Sequence, residues 1–175
     1  AASDVYKRQI ETCRFLERLG AEVSYLPVDR EGMLDPEDVR RAVTERTILV
    51  SVMHANNEVG TVQPISDVAL IARENGVLCH TDAAQSSGKI PVDVGTLGVD
   101  LLTLAGHKLY APKGIGMLYI KSGVELEPLI HGGGQEDGRR SGTESIVMAV
   151  ALGAACALAE SRLAANPLAS TRDYF

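Results

Sequence analysis

The chain has 175 residues, enough to bury a real core as one domain or a little more. A hydrophobic fraction of 45% with 23% charged residues is ordinary for a globular protein, and 17 basic against 23 acidic side chains leave a net charge of −6, which advertises no surface for nucleic acid. The longest apolar segments read as far short of a membrane span, no signal-peptide pattern opens the chain, and Cys13, Cys79 and Cys156 show neither close pairing nor metal-type spacing, so no metal site is expected and a reducing cytoplasm suits them.

Residues 1–9 are polar and aperiodic and are expected to be a non-native or disordered start. From Ile10 the pattern turns helical: Ile10, Cys13, Phe15, Leu16 and Leu19 recur at helical spacing, and Gly20 stands where a helix C-cap should. Ala21 to Val28 reads as a strand, with Val23 and Tyr25 on one face. Asp35-Pro36-Glu37-Asp38 starts a second helix, an N-cap acid followed by proline in the first turn. Thr47 to Met53 is a continuous apolar, β-branched run, the kind buried on both faces of a parallel sheet. A polar loop, His54 to Gly60, follows; Ser66 is expected to cap a helix ended by Gly76, and Val77 to Asp82 is the next strand.

The alternation repeats to a strand at Leu101–Ala105, which argues a parallel α/β sheet. Gly114 to Ile120 follows too closely for a helical crossover and is expected to run antiparallel in a mixed sheet. Ile146 to Leu163 is alanine-rich and should be a long helix, and residues 166–175 are expected to be an irregular tail.

Chemistry gathers at two strand ends. Gly106-His107-Lys108 follows the apolar run Leu101–Ala105, and a lysine there is rarely structural, because burying an ammonium is costly unless it is paired or deprotonated. An amine with a depressed pKa makes Schiff bases with carbonyls and with pyridoxal phosphate. The strand Val77–Asp82 ends in a carboxylate. In a parallel sheet both groups emerge at the carboxyl edge, where open α/β sheets bind ligands. Pyridoxal phosphate needs such a pair, a lysine for the imine and an anion for the pyridine nitrogen. The plainer readings are an ion-paired buried lysine and a local turn at Asp82.

Two further segments carry donors. His131-Gly132-Gly133-Gly134-Gln135-Glu136 and Arg139-Arg140-Ser141-Gly142-Thr143 precede the last helix, and could form either a phosphate cradle or a surface loop capped by Ser141 or Thr143. Gly114-Ile115-Gly116 does not follow a first strand as in a dinucleotide fold, and there is no Walker sequence.

His54-Ala55-Asn56-Asn57-Glu58-Val59-Gly60, Asp82-Ala83-Ala84-Gln85-Ser86, Gly106-His107-Lys108, Pro112-Lys113-Gly114-Ile115-Gly116, the triple-glycine segment and Arg140-Ser141-Gly142-Thr143 occur in this order. Together they resemble the large domain of cysteine desulfurases, in the aminotransferase class V group, across residues 10–165. The resemblance implies a three-layer α/β large domain of a fold-type I pyridoxal-phosphate-dependent transferase, a mostly parallel mixed sheet with flanking helices, here incomplete and without its small C-terminal domain.

It implies that Lys108 forms the Schiff base and then moves protons, that Asp82 pairs with the pyridine nitrogen, and that Gln85 and Asn57 meet the phenolic oxygen side of the ring. His107 and the backbone at Ala105-Gly106 are implied as phosphate contacts, and Thr143 as the hydroxyl reaching the phosphate of a homodimer partner. Many members of the family have serine where this chain has Ala105, so one phosphate hydroxyl is missing. The ring-stacking histidine, the upstream phosphate loop, the sulfur-accepting loop cysteine and the arginine for the substrate carboxylate have no counterpart here. Cys13 and Cys156 fall on helices and Cys79 in a strand, and all three read as small buried hydrophobes.

The implied activity is a cysteine desulfurase converting L-cysteine to L-alanine and passing sulfur to an acceptor thiol, such as that of an iron–sulfur scaffold; this chain alone is expected to be an inactive core. A selenocysteine lyase or another class V aminotransferase shares the same cofactor residues. A non-catalytic dimerisation or binding module is the alternative from a different class, and failure to bind pyridoxal phosphate would single it out.

Overall fold

The computed structural model describes residues 4–165, with side chains described for 9–164. The expected tail at 166–175 lies outside the described residues. Helix α1 spans Asp4–Arg18, beginning before Ile10. Residues without apolar periodicity can still extend a helix by propensity, and Lys and Arg are good helix formers. Helix α2 spans Pro36–Ala42 with Asp35 as its N-cap, whose carboxylate accepts from the Glu37 amide at 2.9 Å.

Strands β1 (Leu49–Met53), β2 (Leu78–Asp82) and β3 (Leu101–Ala105) run parallel, and β4 (Gly116–Ile120) pairs antiparallel with β3, in the order β1-β2-β3-β4. Helix α3 (Ile65–Glu74) connects β1 to β2, and the short α4 (Val94–Leu97) lies between β2 and β3. The mixed sheet with flanking helices follows the sequence pattern.

The core lies between α3 and one sheet face. Ile65, Val68, Ala69, Ile71 and Ala72 of α3 pack with Cys79 of β2 and Leu102 of β3. Each fully buried aliphatic side chain contributes about 1.5–3 kcal/mol. A second cluster seats α5 (Ile146–Ala165): Leu152, Ala155, Cys156 and Ala159 meet Leu104, Leu109, Ala111 and Ile115.

Four expectations change. The Ala21–Val28 segment is not a strand: among the described residues none pairs with it, and a strand needs a neighbour for its backbone groups. Strand β1 is not buried on both faces but stands at the edge, with Leu49 and Ser51 exposed. Ser66 does not cap α3, because the helix starts one residue earlier with Pro64 at its cap. Finally, Ile146–Ala164 is long and apolar enough to cross a membrane by length and composition, although its Leu152–Ala159 stripe packs on the second cluster.

Candidate functional site at the carboxyl edge of the parallel strands

The ladder puts three strand ends side by side. Met53 is the register partner of Asp82, and Asp82 that of Thr103, so the loops after β1, β2 and β3 leave a common edge. Backbone bonds carry the alignment one step further: the His54 amide donates to Asp82 O and the Ala83 amide to Thr103 O, both at 2.9 Å.

Each loop is braced locally. After β1, Asn56 Oδ1 accepts from the Glu58 amide (2.8 Å) and the Val59 amide (3.1 Å), a turn that leaves Asn57 exposed. After β2, Gln85 is half-buried on a turn closed by the Ser86 and Ser87 amides donating to Ala83 O. After β3 the chain enters a 3-10 turn, Gly106–Leu109, which carries His107 exposed and Lys108 half-buried. Gly106 must be glycine for space: a Cβ there would lie 2.8 Å from Ile115 O. Tyr110 ends the turn in a left-handed conformation (φ 67°), with the Arg162 guanidinium 5.6 Å from its ring centroid.

Asp82 is 7% exposed, and its Oδ1 accepts from the Ala84 amide at 2.9 Å. The plain local-turn reading is therefore realised, yet it uses one oxygen only. Among the described residues no lysine, arginine or histidine forms an ion pair with this carboxylate. A buried carboxylate with a spare oxygen suits the N–H of a protonated pyridine. Burial and, less, the positive charge of Lys108 lower the pKa of Lys89.

Seven of the predicted site residues, Asn57, Asp82, Gln85, Ala105, Gly106, His107 and Lys108, thus lie at or just beyond the ends of adjacent parallel strands. Thr143 stands apart, exposed on the segment leading into α5. Neither Ser141 nor Thr143 caps α5; Ser141 Oγ donates instead to Ile130 O at 3.0 Å. The Gly142 amide donates to Gln135 Oε1 (3.1 Å), so the triple-glycine segment is tied to the Arg139–Thr143 segment. Cys79 is buried as expected, with burial and the Asp100 carboxylate pushing its thiol up to about 12, whereas Cys13 and Cys156 are only half-buried.

Two polar groupings were missed by sequence reasoning. His54 Nδ1 meets Ser86 Oγ at 2.9 Å, and both are buried. On the sheet face that carries Asp82, His80 meets Ser51 Oγ through Nδ1 (2.7 Å) and Thr103 Oγ1 through Nε2 (2.9 Å). The available signal was polar residues inside apolar strand runs, but their partnership depends on register.

The aminotransferase class-V family model matches residues 7–171. Cysteine desulfurase IscS of Dictyoglomus turgidum is 51% identical over 168 residues, covering 95% of this chain and 43% of that protein. Cysteine desulfurase IscS of Methanosarcina thermophila is 51% identical over 154 residues, 88% of this chain and 38% of the relative. Among solved structures, a NifS-like protein superposes with TM-score 0.85 at 44% identity, covering 89% of this chain and 43% of that one. SspA in complex with cysteine gives 0.82 at 47%, covering 85% and 43%. The chain therefore spans about two-fifths of the length of the relatives it matches. With the family model matched along nearly its whole length, this chain belongs to the aminotransferase class-V family.

Proposed function

We propose that the protein is a pyridoxal-phosphate-dependent cysteine desulfurase, converting L-cysteine to L-alanine while an acceptor thiol gains the sulfur as a persulfide. The observation that carries this reading is the buried, unpaired carboxylate of Asp82 beside the strand whose following turn carries Lys108, in a chain about half identical to proteins named cysteine desulfurase. The choice of cysteine is supported by a structural neighbour described in complex with it.

When bound, pyridoxal phosphate supplies an electron sink for charge developing on the substrate carbon. The chain's residues supply the rest. Lys108 would hold the cofactor through a Schiff base at its Nζ, the carbonyl oxygen leaving as water, and the same amine would be the group placed to carry the proton at the substrate's α-carbon. The Asp82 carboxylate would accept from the pyridine nitrogen and would favour its protonated form. The Gln85 amide would donate to the phenolic oxygen with Asn57 on the same side, while His107 and the backbone at Ala105-Gly106 would hold the phosphate. Thr143 would serve the phosphate of the second subunit in a homodimer, a role compatible with its place outside the three loops. Ala105 offers no hydroxyl, so phosphate binding lacks one charge-assisted hydrogen bond, about 1.5–3 kcal/mol.

Sulfur acceptors are thiol proteins such as iron–sulfur scaffolds, and the compartment is the cytoplasm, in keeping with free rather than paired cysteines among the described residues. The test is alanine formation from L-cysteine by the full-length protein loaded with pyridoxal phosphate, in the presence of a thiol. Stoichiometric alanine and persulfide support the proposal. Retained cofactor without alanine points to another class V reaction, and failure to retain cofactor overturns it.

A further inference from the structure

We propose that Ser51, His80 and Thr103 form a brace that holds the His80 imidazole neutral beside Asp82, reserving the carboxylate's charge for the pyridine nitrogen, so that His80 is a positioning residue. This rests on the cofactor reading above.

The placement follows from strand geometry. His80 and Asp82 are two apart on β2 and so share a sheet face. Ser51 is the register partner of His80 on β1, and Thr103 is that of Asp82 on β3. The opposite face of the same strands is apolar, with Cys79 and Leu102 packed against α3. The row runs from Ser51 at the exposed edge strand to the half-buried His80 and Thr103, and partly buried polar groups are costly unless satisfied. Here each is. Both ring nitrogens meet a hydroxyl, at 2.7 and 2.9 Å, and the Gln9 amide of α1 donates to Ser51 Oγ at 3.2 Å.

A neutral imidazole offers one N–H and one lone pair, and a hydroxyl can give or take, so either tautomer is satisfied without a charge. The two bonds act on opposite sides of the ring and fix its plane. They prevent it from turning an N–H onto Asp82, and no hydrogen bond joins the two side chains.

The electrostatics agree. Burial pushes the His80 pKa down, and the Asp82 carboxylate pulls it up without reversing the shift. Among the described residues Asp82 is the charged group acting on the ring; β1, β3 and α1 present Ser51, Thr103 and Gln9, which are neutral. Were the ring to charge, it would pair with Asp82 and compete with the pyridinium for the same anion.

Two measurements test this. In the cofactor-free full-length protein, nitrogen NMR of His80 should show one protonated and one bare ring nitrogen from about pH 8 down to about pH 6. Pyridoxal-phosphate affinity is then titrated over the same range for the unsubstituted protein, for Ser51→Ala/Thr103→Val, and for that pair combined with His80→Gln. The double variant frees the ring to take a proton and turn to Asp82. It should lose about tenfold more affinity towards low pH than the unsubstituted protein, the scale of one hydrogen bond to a charged group. The His80→Gln addition should abolish that extra loss.

A doubly protonated ring at about pH 7 in the unsubstituted protein overturns the proposal whether or not any variant folds. So does a double variant whose affinity profile parallels that of the unsubstituted protein. A neutral ring in a protein that binds no pyridoxal phosphate overturns the cofactor reading and this use of the brace with it, a result distinguishable from the other two.

Discussion

The His54 ring and the Ser86 hydroxyl, 32 residues apart in sequence, meet at 2.9 Å in the interior and tie the loop after β1 to the loop after β2. Ser86 Oγ also donates to Ala83 O at 3.3 Å, which leaves the hydroxyl oxygen to accept from His54 Nδ1–H. The loops that present Asn57 and Gln85 are thus held by one buried bond.

Burial of this ring makes stability depend on pH. Burial lowers the His54 pKa below its ordinary 6.5, so the unfolded chain takes the proton more readily than the folded one. The contribution is complete above that ordinary value and is lost as pH falls through it towards the folded value. The urea midpoint should fall between about pH 7.5 and about pH 5.5. His54→Asn keeps a donor near the Nδ1 position but cannot titrate, and should reduce that fall; an unchanged fall would remove His54 from the account.

Gly88 is a test of close packing. A Cβ there would lie 2.6 Å from Leu109 Cδ2 and 2.8 Å from Ala159 Cβ, at φ +71°. Gly98 has a similar φ of +69°, but its nearest neighbour would be 3.7 Å away. Gly98→Ala should therefore cost about 1–2 kcal/mol from backbone strain alone. Gly88→Ala should cost about 1–3 kcal/mol more, because the loop after β2 must back away from α5. Equal denaturant midpoints for the two variants would contradict the packing of α5 on that loop.

The two carboxylate roles of Asp82 can be separated. Asp82→Asn retains an acceptor for the Ala84 amide, so the fold should hold, while turnover falls about a hundredfold or more with loss of the anion. Asp82→Ala orphans that amide as well and should cost a further 1–3 kcal/mol or so of stability. Comparing melting curves with kcat for the pair checks both; turnover unaffected by Asp82→Asn would strip the residue of its electrostatic role.

Much of this layout could be read before the fold was seen. The runs Val77–Asp82 and Leu101–Ala105 are β-prone and carry buried apolar residues because those strands are interior, and Asp35-Pro36 carries its own start signal. The short interval between Lys108 and Gly114 correctly excluded a crossover helix and gave the antiparallel β4. What failed were properties of neighbours. Thr47–Met53 has the composition of an interior strand but occupies an edge, and Ala21–Val28 has a strand's pattern without a pairing partner among the described residues. The Ser51–His80–Thr103 row was invisible for the same reason. Its members are 29 and 23 residues apart, and only the register brings them together.

The central claim is that Lys108 is the amine that takes the cofactor. Full-length protein loaded with pyridoxal phosphate, reduced with borohydride and digested for peptide mass mapping, tests it most directly. The account predicts the reduced pyridoxyl label on Lys108. A label on Lys89, Lys113 or Lys121 instead, or no label on a protein that has bound the cofactor, would contradict it.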